Sequence, residues 1–563
     1  MKIKSYLLLT LLLSIKPIFL IAQSYEWGGR FGGGGEDVVK RMYVDAEGNS
    51  YTTGYFTDTA DFDIGNTEYN LTSNGLYDVF VQKTNTDGNL EWAVNIGGNM
   101  FDYGTGITAD AQGNVYVTGY FDETVDFDPG AGEWLLTSQG GGDVFILKLN
   151  SNGEFVWAKS IGGLDYEEST AIGVDPNGNV YLLGYLYATV DFDPGLGEVL
   201  MSSSGLSDTF LLRLNNTGDF DYVYTYGGDG IDLALDMVVK NENEIFLSGY
   251  FNGTTDLDPR PNETHLVTAT DGFAGYAMQI NELGEIVNLA LTEGGAVNIL
   301  GIAQDAQNNM VITGNFSGTV NFDPSSGNSD YTFSSTNAYN GFIVKIQHDS
   351  TIAWAAQLVS NDPVFGYDIA IAPDGKVVAT GFFGGEADFD PNPNSNFILN
   401  KQSVNPTDAY LWSLDAQGNF LSAYQFGGVG FIDTHQIGVD SANNIYLAGH
   451  FENSVDINPL PNDVDMVTVV DFRDNYLLKF KDGLLHVPTN SLQKLGVYPN
   501  PANDFIHVPN FTGKSYRIYN LMGQLIAEGI LNETQSINVK ALPHGMYILS
   551  FDAGTANVKF LKE

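Results

Sequence analysis

The chain of 563 residues contains no cysteine, which excludes a disulfide framework and a lipid-accepting cysteine near the N-terminus. It has only seven histidines. No HExxH zinc motif, phosphate-binding loop or GxSxG element is present. Charged residues make up 17% of the chain, below the roughly 25% typical of globular proteins. The sequence therefore carries no recognised catalytic motif, and its stability must come from packing.

Basic residues are also scarce, because 24 Lys and Arg stand against 69 Asp and Glu, giving a formal net charge of −45. Residues 23–490 hold 15 of the basic and 64 of the acidic residues, a difference of −49. Such a field repels nucleic acids and anionic lipids and attracts cations. We therefore expect no nucleic-acid partner. A surface that merely keeps an extracellular protein dispersed is the alternative interpretation of this charge.

The chain has one long apolar stretch, and it lies at the N-terminus. Lys2 and Lys4 precede the apolar run, and Ala22 offers a small residue for cleavage. This pattern predicts a secretory signal peptide over residues 1–22. A membrane anchor is the competing interpretation, but a lysine and a proline interrupt the run before the roughly 20 residues that a spanning helix needs. We expect no transmembrane segment in the mature chain.

What the sequence does contain is seven copies of one unit between about residues 25 and 482. Each copy has a glycine at the end of its second hydrophobic run, and these glycines are Gly54, Gly119, Gly184, Gly249, Gly314, Gly381 and Gly449. They are spaced by 65, 65, 65, 65, 67 and 68 residues. Repeats of this length, built from short β-rich runs, predict propeller blades rather than a helical array.

Each copy contains four runs of four to eight residues, rich in β-branched and aromatic side chains and bounded by Asn, Asp and Gly turns. We therefore predict an all-β fold, a seven-bladed β-propeller over residues 23–487 with four antiparallel strands per blade. The first copy begins with a lone strand around Trp27, and the last ends near Phe480 without its counterpart. The N-terminal strand is expected to close the last blade, which leaves no exposed edge. An open or two-lobed β-solenoid is the alternative.

The strand order sorts the loops onto two faces. The turns after the first and third strands are short, whereas the loops after the second strand are about 20 residues long, as in residues 122–142. Long loops on a rigid scaffold usually carry binding sites. We therefore expect a glycan or protein ligand on the long-loop face.

The long loops open with an acidic tripeptide whose central residue is apolar. The seven tripeptides are Asp61-Phe62-Asp63, Asp126-Phe127-Asp128, Asp191-Phe192-Asp193, Asp256-Leu257-Asp258, Asn321-Phe322-Asp323, Asp388-Phe389-Asp390 and Asp456-Ile457-Asn458. In extended backbone the two outer side chains face the same side. One interpretation is structural, with the aspartates accepting backbone N–H groups of the turn. The other is a Ca²⁺ site, because paired carboxylates are ligands that Ca²⁺ prefers.

Two further classes of function stay open. Glu36, Glu168 and Asp433 lie in connectors and could form an acid/base pair across the ring, which would suit a polysaccharide-degrading enzyme with an axial carboxylate site. The third hypothesis is a purely structural surface or adhesion component. No catalytic residue is assigned. The recurring tryptophans, such as Trp92, are expected to pack between blades, whereas Trp412 lies outside that register.

The repeat resembles a known family. The elements Trp-Ala, Ile-Gly-Gly, Gly-Asn-Val-Tyr-Val-Thr-Gly-Tyr-Phe and Asp-Phe-Asp-Pro-Gly, best seen at residues 92–148, resemble the bacterial SBBP-type seven-bladed β-propeller repeat. The likeness covers all seven copies, although Tyr222 and Val287 replace the tryptophan in the fourth and fifth. It implies extracellular recognition rather than a defined reaction.

Residues 495–563, after a linker at 488–494, resemble a type IX secretion C-terminal sorting domain. The residues that carry the likeness include Tyr498, Pro499, Asn500, Pro501, Gly523, Gly545 and Tyr547. The resemblance implies contact with the type IX secretion machinery and translocation across the outer membrane. Removal of the domain would follow, with either surface attachment or release of the remaining protein. The alternating short strands also predict a small β-sandwich.

Overall fold

The computed structural model describes residues 21–65, 67–324, 331–402, 407–460, 465–484, 501–508, 514–520, 525–531, 536–551 and 556–562. Across these ranges the protein is all-β, as predicted, and forms no helix. A helix able to cross a membrane is accordingly not found among them. The chain divides into two compact units, one of residues Ala22–Asp482 and one that includes Gly483–Glu563. The predicted linker and nearly all of the predicted signal peptide lie outside the described residues.

The strands of the first unit follow the seven copies. Before and within the first three copies they are β1 (Ile21–Gly33), β2 (Val38–Val44), β3 (Ser50–Phe56), β4 (Thr59–Asp61), β5 (Asn70–Thr72), β6 (Asp78–Thr84), β7 (Leu90–Ile96), β8 (Tyr103–Ala109), β9 (Val115–Phe121), β10 (Thr124–Asp126), β11 (Leu135–Thr137), β12 (Asp143–Leu149), β13 (Phe155–Gly163), β14 (Glu167–Val174), β15 (Val180–Leu186), β16 (Thr189–Asp191), β17 (Leu200–Ser202), β18 (Asp208–Leu214) and β19 (Phe220–Gly228).

In the last four copies they are β20 (Asp232–Asn241), β21 (Glu244–Phe251), β22 (Thr254–Asp256), β23 (Leu266–Thr268), β24 (Ala274–Ile280), β25 (Ile286–Leu291), β26 (Ala296–Gln304), β27 (Met310–Asn321), β28 (Thr332–Ile346), β29 (Ile352–Ser360), β30 (Val364–Ile371), β31 (Val377–Phe383), β32 (Glu386–Asp388), β33 (Ile398–Asn400), β34 (Asp408–Leu414), β35 (Phe420–Gly428), β36 (Ile432–Val439), β37 (Ile445–Phe451), β38 (Ser454–Asp456), β39 (Met466–Thr468) and β40 (Asp474–Leu484).

Four consecutive long strands make one antiparallel meander in each copy, for example β8-β9-β12-β13 and β14-β15-β18-β19. The last copy is completed by the N-terminal strand, because its order is β36-β37-β40-β1. In five of the meanders a short hairpin of the following copy continues the sheet, as β16 and β17 do beside β13. Each of these sheets is open, since no strand order among the described residues closes on itself.

The first strands of the meanders lie side by side. Strand β2 contacts β8, and the contacts continue through β14, β20, β26 and β30 to β36, which contacts β2. Together these seven strands line a cavity of about 290 Å³. Each first strand also carries a bulged residue at the same position of the repeat, which interrupts the pairing with its second strand. The bulged residues are Lys40, Thr105, Thr170, Leu235, Leu300, Tyr367 and His435.

The Gly-Gly step of the repeat has a packing reason. At the end of the second meander Gly162 pairs with Asp191 and Gly163 with Val190, so the outer strand of this sheet joins the hairpin of the next copy. A Cβ on Gly162 would overlap the Asp143 carboxylate, and a Cβ on Gly163 would overlap the carbonyl oxygen of Thr189. Glycine is therefore the residue that allows this close approach.

The apolar residues fill the spaces within and between the sheets. The central residues of the acidic tripeptides are all buried, from 0% exposed at Phe127 to 3% at Phe322. The indole N–H of Trp92 donates to the carbonyl of Ser151 in the next sheet at 3.0 Å, in agreement with packing between sheets. Trp412 is not available as a surface platform, because it is 1% exposed and its N–H donates to the carbonyl of Phe389.

The second unit contains six described strands, which are β41 (Phe505–His507), β42 (Ser515–Asn520), β43 (Leu525–Ile530), β44 (Ser536–Asn538), β45 (Gly545–Phe551) and β46 (Ala556–Lys562). They form a four-stranded sheet, β43-β42-β45-β46, and a two-stranded sheet, β41-β44. One apolar cluster joins the two sheets, with Ile506 and Ile537 from the small sheet and Leu549 and Phe560 from the large one. This unit therefore has its own core.

Candidate functional site

The most distinctive surface of the first unit is a group of seven tyrosines, which we call the tyrosine patch. Its members are Tyr55, Tyr77, Tyr103, Tyr120, Tyr166, Tyr185 and Tyr187. Their rings form one continuous series, with centroid distances from 4.7 Å between Tyr103 and Tyr120 to 6.4 Å between Tyr166 and Tyr187. Most of these rings are half-buried, and Tyr187 is 44% exposed.

The repeat places these rings together. Tyr55, Tyr120 and Tyr185 each follow the glycine that ends the second run of their copy. In the other copies the same position holds Tyr250, Asn315, Phe382 and His450. The position is one residue before the end of the second strand, so the patch lies on the side from which the long loops leave. The sequence contained this signal, but sequence reasoning did not use it.

Two carboxylates anchor the hydroxyl groups of the patch. Tyr77 donates to Glu36 at 3.0 Å, and Arg473 donates to the same carboxylate at 3.1 Å. Glu168 accepts from Tyr166 at 3.2 Å and from Tyr185 at 2.5 Å. Burial raises the pKa of Tyr185 far above its ordinary value, and the Glu168 charge adds to this shift. Four of the seven phenols, those of Tyr55, Tyr77, Tyr166 and Tyr185, are therefore held as donors by these two carboxylates.

The third connector carboxylate, Asp433, belongs to a different group on the same side. It accepts a hydrogen bond from His435 Nε2 at 2.7 Å and pairs across the strands with His450. Although burial opposes its charge, His435 holds the pKa of Asp433 below its ordinary value. Burial lowers the pKa of His450 to about 3. No sequence signal marks His435 and His450 as neighbours, because histidine does not recur at either position in the other copies.

Asp433, His435 and His450 could hold a metal ion, since one ligand atom of each lies within 4.8 Å of the others. Within the described residues this is the single group of three such side chains. The ring of His435 is stacked between Tyr367, at 4.4 Å, and His450, at 5.3 Å. The planes of the two imidazole rings are only 19° apart, and Nε2 of His435 is bonded to Asp433. The arrangement therefore fits a hydrogen-bonded Asp–His dyad better than a metal site.

A polar cluster lies deeper, in the cavity lined by the first strands. Arg41 pairs with Asp236, and Asp368 lies close enough to influence both. Burial raises the pKa of Asp368, and the Asp236 charge raises it further. Both carboxylates also join neighbouring sheets, because Asp236 accepts from the N–H of Ile302 and Asp368 from that of Ile437, each at 2.9 Å. The cluster is thus built into the contacts between sheets.

The acidic tripeptides have a structural role in their own loops. The first aspartate accepts two backbone N–H groups, as Asp126 does from Asp128 at 3.0 Å and from Trp134 at 2.8 Å. The second accepts from the residue two positions later, as Asp128 does from Gly130 at 2.8 Å. In the fifth copy the side-chain oxygen of Asn321 takes the place of the first aspartate and accepts the N–H of Asp323 at 2.9 Å. One oxygen of each such side chain is therefore bonded to the loop, as the structural interpretation expects.

The same loops border cavities of ligand size. One of about 460 Å³ is lined by Asp388, Asp390 and Phe333, and another of about 420 Å³ by His265, Phe322 and Asp323. Cavities that bind small molecules usually measure about 300–1,000 Å³. The calcium hypothesis for the tripeptides stays a prediction.

In the second unit, Tyr547 packs on Phe560 with ring centroids 5.7 Å apart, and its hydroxyl donates to the carbonyl of Pro543. Gly545 pairs with Lys562 at the start of β45. Pro501 precedes Ala502, whose N–H donates to the carbonyl of Leu561. Of the other residues assigned to the sorting motif, Tyr498, Pro499, Asn500 and Gly523 lie outside the described part of the chain.

Comparison with known families identifies this second unit. Residues 496–562 match the family described as a secretion system C-terminal sorting domain. The chain carries a type IX sorting domain. Such a domain directs its chain to the type IX secretion machinery, and it indicates secretion to the cell surface or to the outside.

Comparison of the whole chain gives more distant similarities. An uncharacterized WD repeat-containing protein of Acanthamoeba polyphaga mimivirus is 21% identical over 442 residues, which cover 66% of this chain and 32% of the viral protein. The regulatory protein FlaEY of Caulobacter vibrioides is 25% identical over 142 residues, which cover 25% of this chain and 14% of that protein. This chain thus spans a third or less of the length of the relatives it matches.

Among solved structures, PorZ, a surface component of the type IX secretion system of Porphyromonas gingivalis, aligns with a TM-score of 0.19 and 10% identity over 95% of this chain and all of that chain. The apocarotenoid oxygenase of Synechocystis aligns with a TM-score of 0.34 and 13% identity over 81% of this chain and 94% of that chain. Scores this low support no argument about function.

Proposed function

We propose that this protein is an exported binding protein, a seven-bladed β-propeller of the SBBP type that binds a glycan or a protein through its tyrosine patch. A cleaved signal peptide and the sorting domain would take it across both membranes. The mature protein would then be attached to the cell surface or released. The observation that carries the binding proposal is the continuous series of seven tyrosine rings, most of them half-buried, on the long-loop side.

Several features support the propeller interpretation. Each of the seven copies supplies one four-stranded meander, with β1 from the N-terminus in the last one. The first strands contact one another in succession from β2 to β36 and back to β2. Contacts between separate open sheets are what blades around an axis would make.

Tyrosine suits recognition because its ring offers a large rigid contact area while its hydroxyl can be held by hydrogen bonds. In the tyrosine patch Glu36 and Glu168 hold four hydroxyls, so little side-chain entropy remains to be lost on binding. Arg473, which is bonded to Glu36, adds a charged donor at the edge. Rings of this kind stack equally on the apolar face of a sugar and on protein side chains, so the ligand class is left to experiment.

The test is binding of the full chain to polysaccharide and extracellular-protein arrays, with affinities then measured by calorimetry. Tyr103→Ala and Tyr120→Ala should each weaken binding at least about fivefold, which corresponds to about 1 kcal/mol at an interface hot spot. Tyr69→Ala is the matched control, because Tyr69 is 42% exposed and lies outside the patch. Equal loss in the control, or full binding by both patch variants, would refute the proposal.

A second candidate is a polysaccharide-degrading enzyme that uses the acids of the central cavity. The observation in its favour is the convergence of Asp236 and Asp368 on Arg41, with the pKa of Asp368 raised. This hypothesis predicts that the full chain releases reducing sugar from a polysaccharide. It also predicts that Asp368→Asn abolishes the release. Binding without any release, in both wild type and variant, would reject the enzyme and leave the binding protein.

A further inference from the structure

The Asp433–His435 dyad presents one free nitrogen at a fixed position. Nε2 of His435 donates to Asp433 at 2.7 Å, and the ring is stacked between Tyr367 and His450. Because a carboxylate only accepts hydrogen bonds, the proton of the neutral ring is held on Nε2, and Nδ1 is left as an acceptor. Within the described part of the chain Nδ1 forms no hydrogen bond, and the side chain is 27% exposed.

Two buried polar atoms beside the dyad also lack a partner. Asp433 and His450 are each 6% exposed, and Oδ1 of Asp433 and Nδ1 of His450 form no hydrogen bond among the described residues. Burial lowers the pKa of His450 to about 3, so this ring stays neutral. Leaving buried polar atoms unpaired costs free energy, which favours the binding of a small polar molecule at this place.

A cation without an ion-pair partner lies beside the dyad. Lys40 and His435 are the bulged residues of β2 and β36, two strands that contact each other. Lys40 is exposed, its ammonium lies 5.6 Å from the centre of the Tyr55 ring, and it forms no ion pair within the described ranges. The surrounding protein lowers the pKa of Lys40, whereas Glu168 and Asp433 counter this shift. The Lys40 charge thus acts on both the dyad and the tyrosine patch.

We propose that this group is a catalytic site that hydrolyses esters, with His435 as the general base and Lys40 as the cation that stabilises the developing oxyanion. Asp433 is the positioning residue that fixes the tautomer and orientation of His435. The substrate is an O-acyl group, such as acetyl, on the glycan at the adjoining tyrosine patch. This choice of substrate rests on the proposed function.

The reaction consumes one water molecule and needs no other co-reactant. The water oxygen attacks the carbonyl carbon of the ester while a proton of the water passes to Nδ1 of His435. Negative charge then develops on the carbonyl oxygen, where the Lys40 ammonium stabilises it. When the tetrahedral intermediate collapses, the bond between the acyl carbon and the sugar oxygen breaks, and Nδ1 returns its proton to that oxygen. The products are a carboxylate and a free sugar hydroxyl.

The charges around the site favour an uncharged ester. The carboxylates of Glu36, Glu168 and Asp433 all act on Lys40, and the unit around them is strongly acidic. Such surroundings repel anionic substrates, for example phosphoesters. Hydrolysis of a glycosidic bond usually needs two carboxyl groups that flank the bond, whereas the dyad offers a nitrogen base. A neutral carbonyl that becomes negative only during the reaction therefore fits best.

The test measures release of acetate by the full chain from two probes, 4-nitrophenyl acetate and water-soluble acetylated xylan. His435→Gln and Lys40→Met should each lower kcat at least about 100-fold, the smaller end of the effects of a general base and of an oxyanion-stabilising group. The matched controls are His348→Gln and Lys240→Met, which change exposed residues beside short turns and should keep the wild-type rate.

Asp433→Asn tests the positioning role. The amide of this variant can donate to Nε2, which moves the ring proton to Nδ1 and removes the base. We expect kcat to fall at least about 100-fold while KM changes less than about twofold. A purely structural role would lower the melting temperature and leave the kcat of the folded variant unchanged.

Circular dichroism melts establish that each variant folds. Acetate release at the spontaneous rate from both probes, or release that His435→Gln and Lys40→Met leave unchanged, overturns the proposal. Calorimetry with acetylated xylan keeps this outcome separate from the proposed function, because Tyr103→Ala should weaken binding and His435→Gln should keep the wild-type Kd. Binding that depends on Tyr103 without acetate release would reject the esterase and leave the binding protein. Hydrolysis of 4-nitrophenyl acetate alone would reject the glycan ester as substrate.

Discussion

The backbone N–H of Val39 donates to the side-chain oxygen of Asn475 at 2.6 Å, although the two residues are 436 positions apart in the chain. Val39 lies in the first strand of the first copy, and Asn475 lies in the last long strand of the final copy. Both residues are 0% exposed. This bond therefore joins the two ends of the repeat array inside its core.

Asn475→Ala should lower the free energy of unfolding by about 1–3 kcal/mol, because it leaves the buried N–H of Val39 without an acceptor. The measurement is urea-induced unfolding followed by circular dichroism. Asn70→Ala, at an exposed position, is the control and should change the value by less than about 0.5 kcal/mol. Indistinguishable effects of the two variants would show that the contact is energetically unimportant.

Gly162→Ala should destabilise the protein by about 1–3 kcal/mol, because the new Cβ would overlap the Asp143 carboxylate in a packed site. Gly34→Ala is the matched control, since no atom lies within 4 Å of its Cβ position. Combining Gly162→Ala with Asp143→Ala should cost less than the sum of the two single changes, because the second removes the overlap. Strict additivity in this double-mutant cycle would contradict the packing explanation.

The tripeptide loops distinguish a structural from a calcium-binding aspartate. Asp126→Asn keeps the acceptor that holds the N–H groups of Asp128 and Trp134, whereas Asp126→Ala removes it. If the role is structural, thermal melts should show Asp126→Asn close to wild type and Asp126→Ala destabilised by about 1–2 kcal/mol. We expect the structural result, because in the fifth copy Asn321 already replaces the first aspartate and accepts a backbone N–H of the loop.

The calcium hypothesis for the loops predicts a different result in the same experiment. Saturating Ca²⁺ at 100 times its dissociation constant should stabilise the wild type by about 2.7 kcal/mol, and Asp126→Asn should reduce this gain. Melts of both proteins with Ca²⁺ and with chelator therefore separate the two roles. A gain that Asp126→Asn leaves intact would place the ion elsewhere.

Glu167 makes stability depend on pH. Its pKa is raised from 4.5 to about 8 by burial and by Asp143, so the folded state holds a proton that the unfolded state releases. The stability that Glu167 contributes is therefore fully present below pH 4.5 and is lost as the pH rises towards 8. Across this window the slope is at most about 1.4 kcal/mol per pH unit for one group.

Glu167→Gln should remove this contribution, because the amide has no proton to lose. Unfolding free energies measured in chelator between pH 5 and 8 should thus fall less steeply for the variant than for the wild type. Glu198→Gln, a change to another glutamate of the same copy, serves as the control and should keep the wild-type slope. Parallel curves for wild type and Glu167→Gln would disprove the buried-proton assignment.

The secondary structure was readable in advance because its signals are local. Runs of β-branched and aromatic residues between Asn, Asp and Gly turns predicted four antiparallel strands in each copy. Antiparallel strands are found in all seven copies. The C-terminal motifs likewise predicted the sorting domain that the family comparison identified. The structural interpretation of the tripeptide was local as well, because an aspartate at a turn accepts the N–H groups of its own turn.

The chemistry at the junctions between copies was not readable, because it depends on residues that are neighbours only after the sheets pack. Nothing local to Asp143 marks Glu167 as its neighbour, and Arg30 meets Asp474 across 444 positions of sequence. The tyrosine patch arises because Tyr55, Tyr120 and Tyr185 recur at one position of successive sheets, where tyrosines from other parts of the chain pack against them. The sequence by itself determined strands, turns, repeat number and the export domain through short-range propensity and pattern. Only the tertiary structure decided which acids are buried together and which rings touch, since burial and distance are properties of the packed sheets.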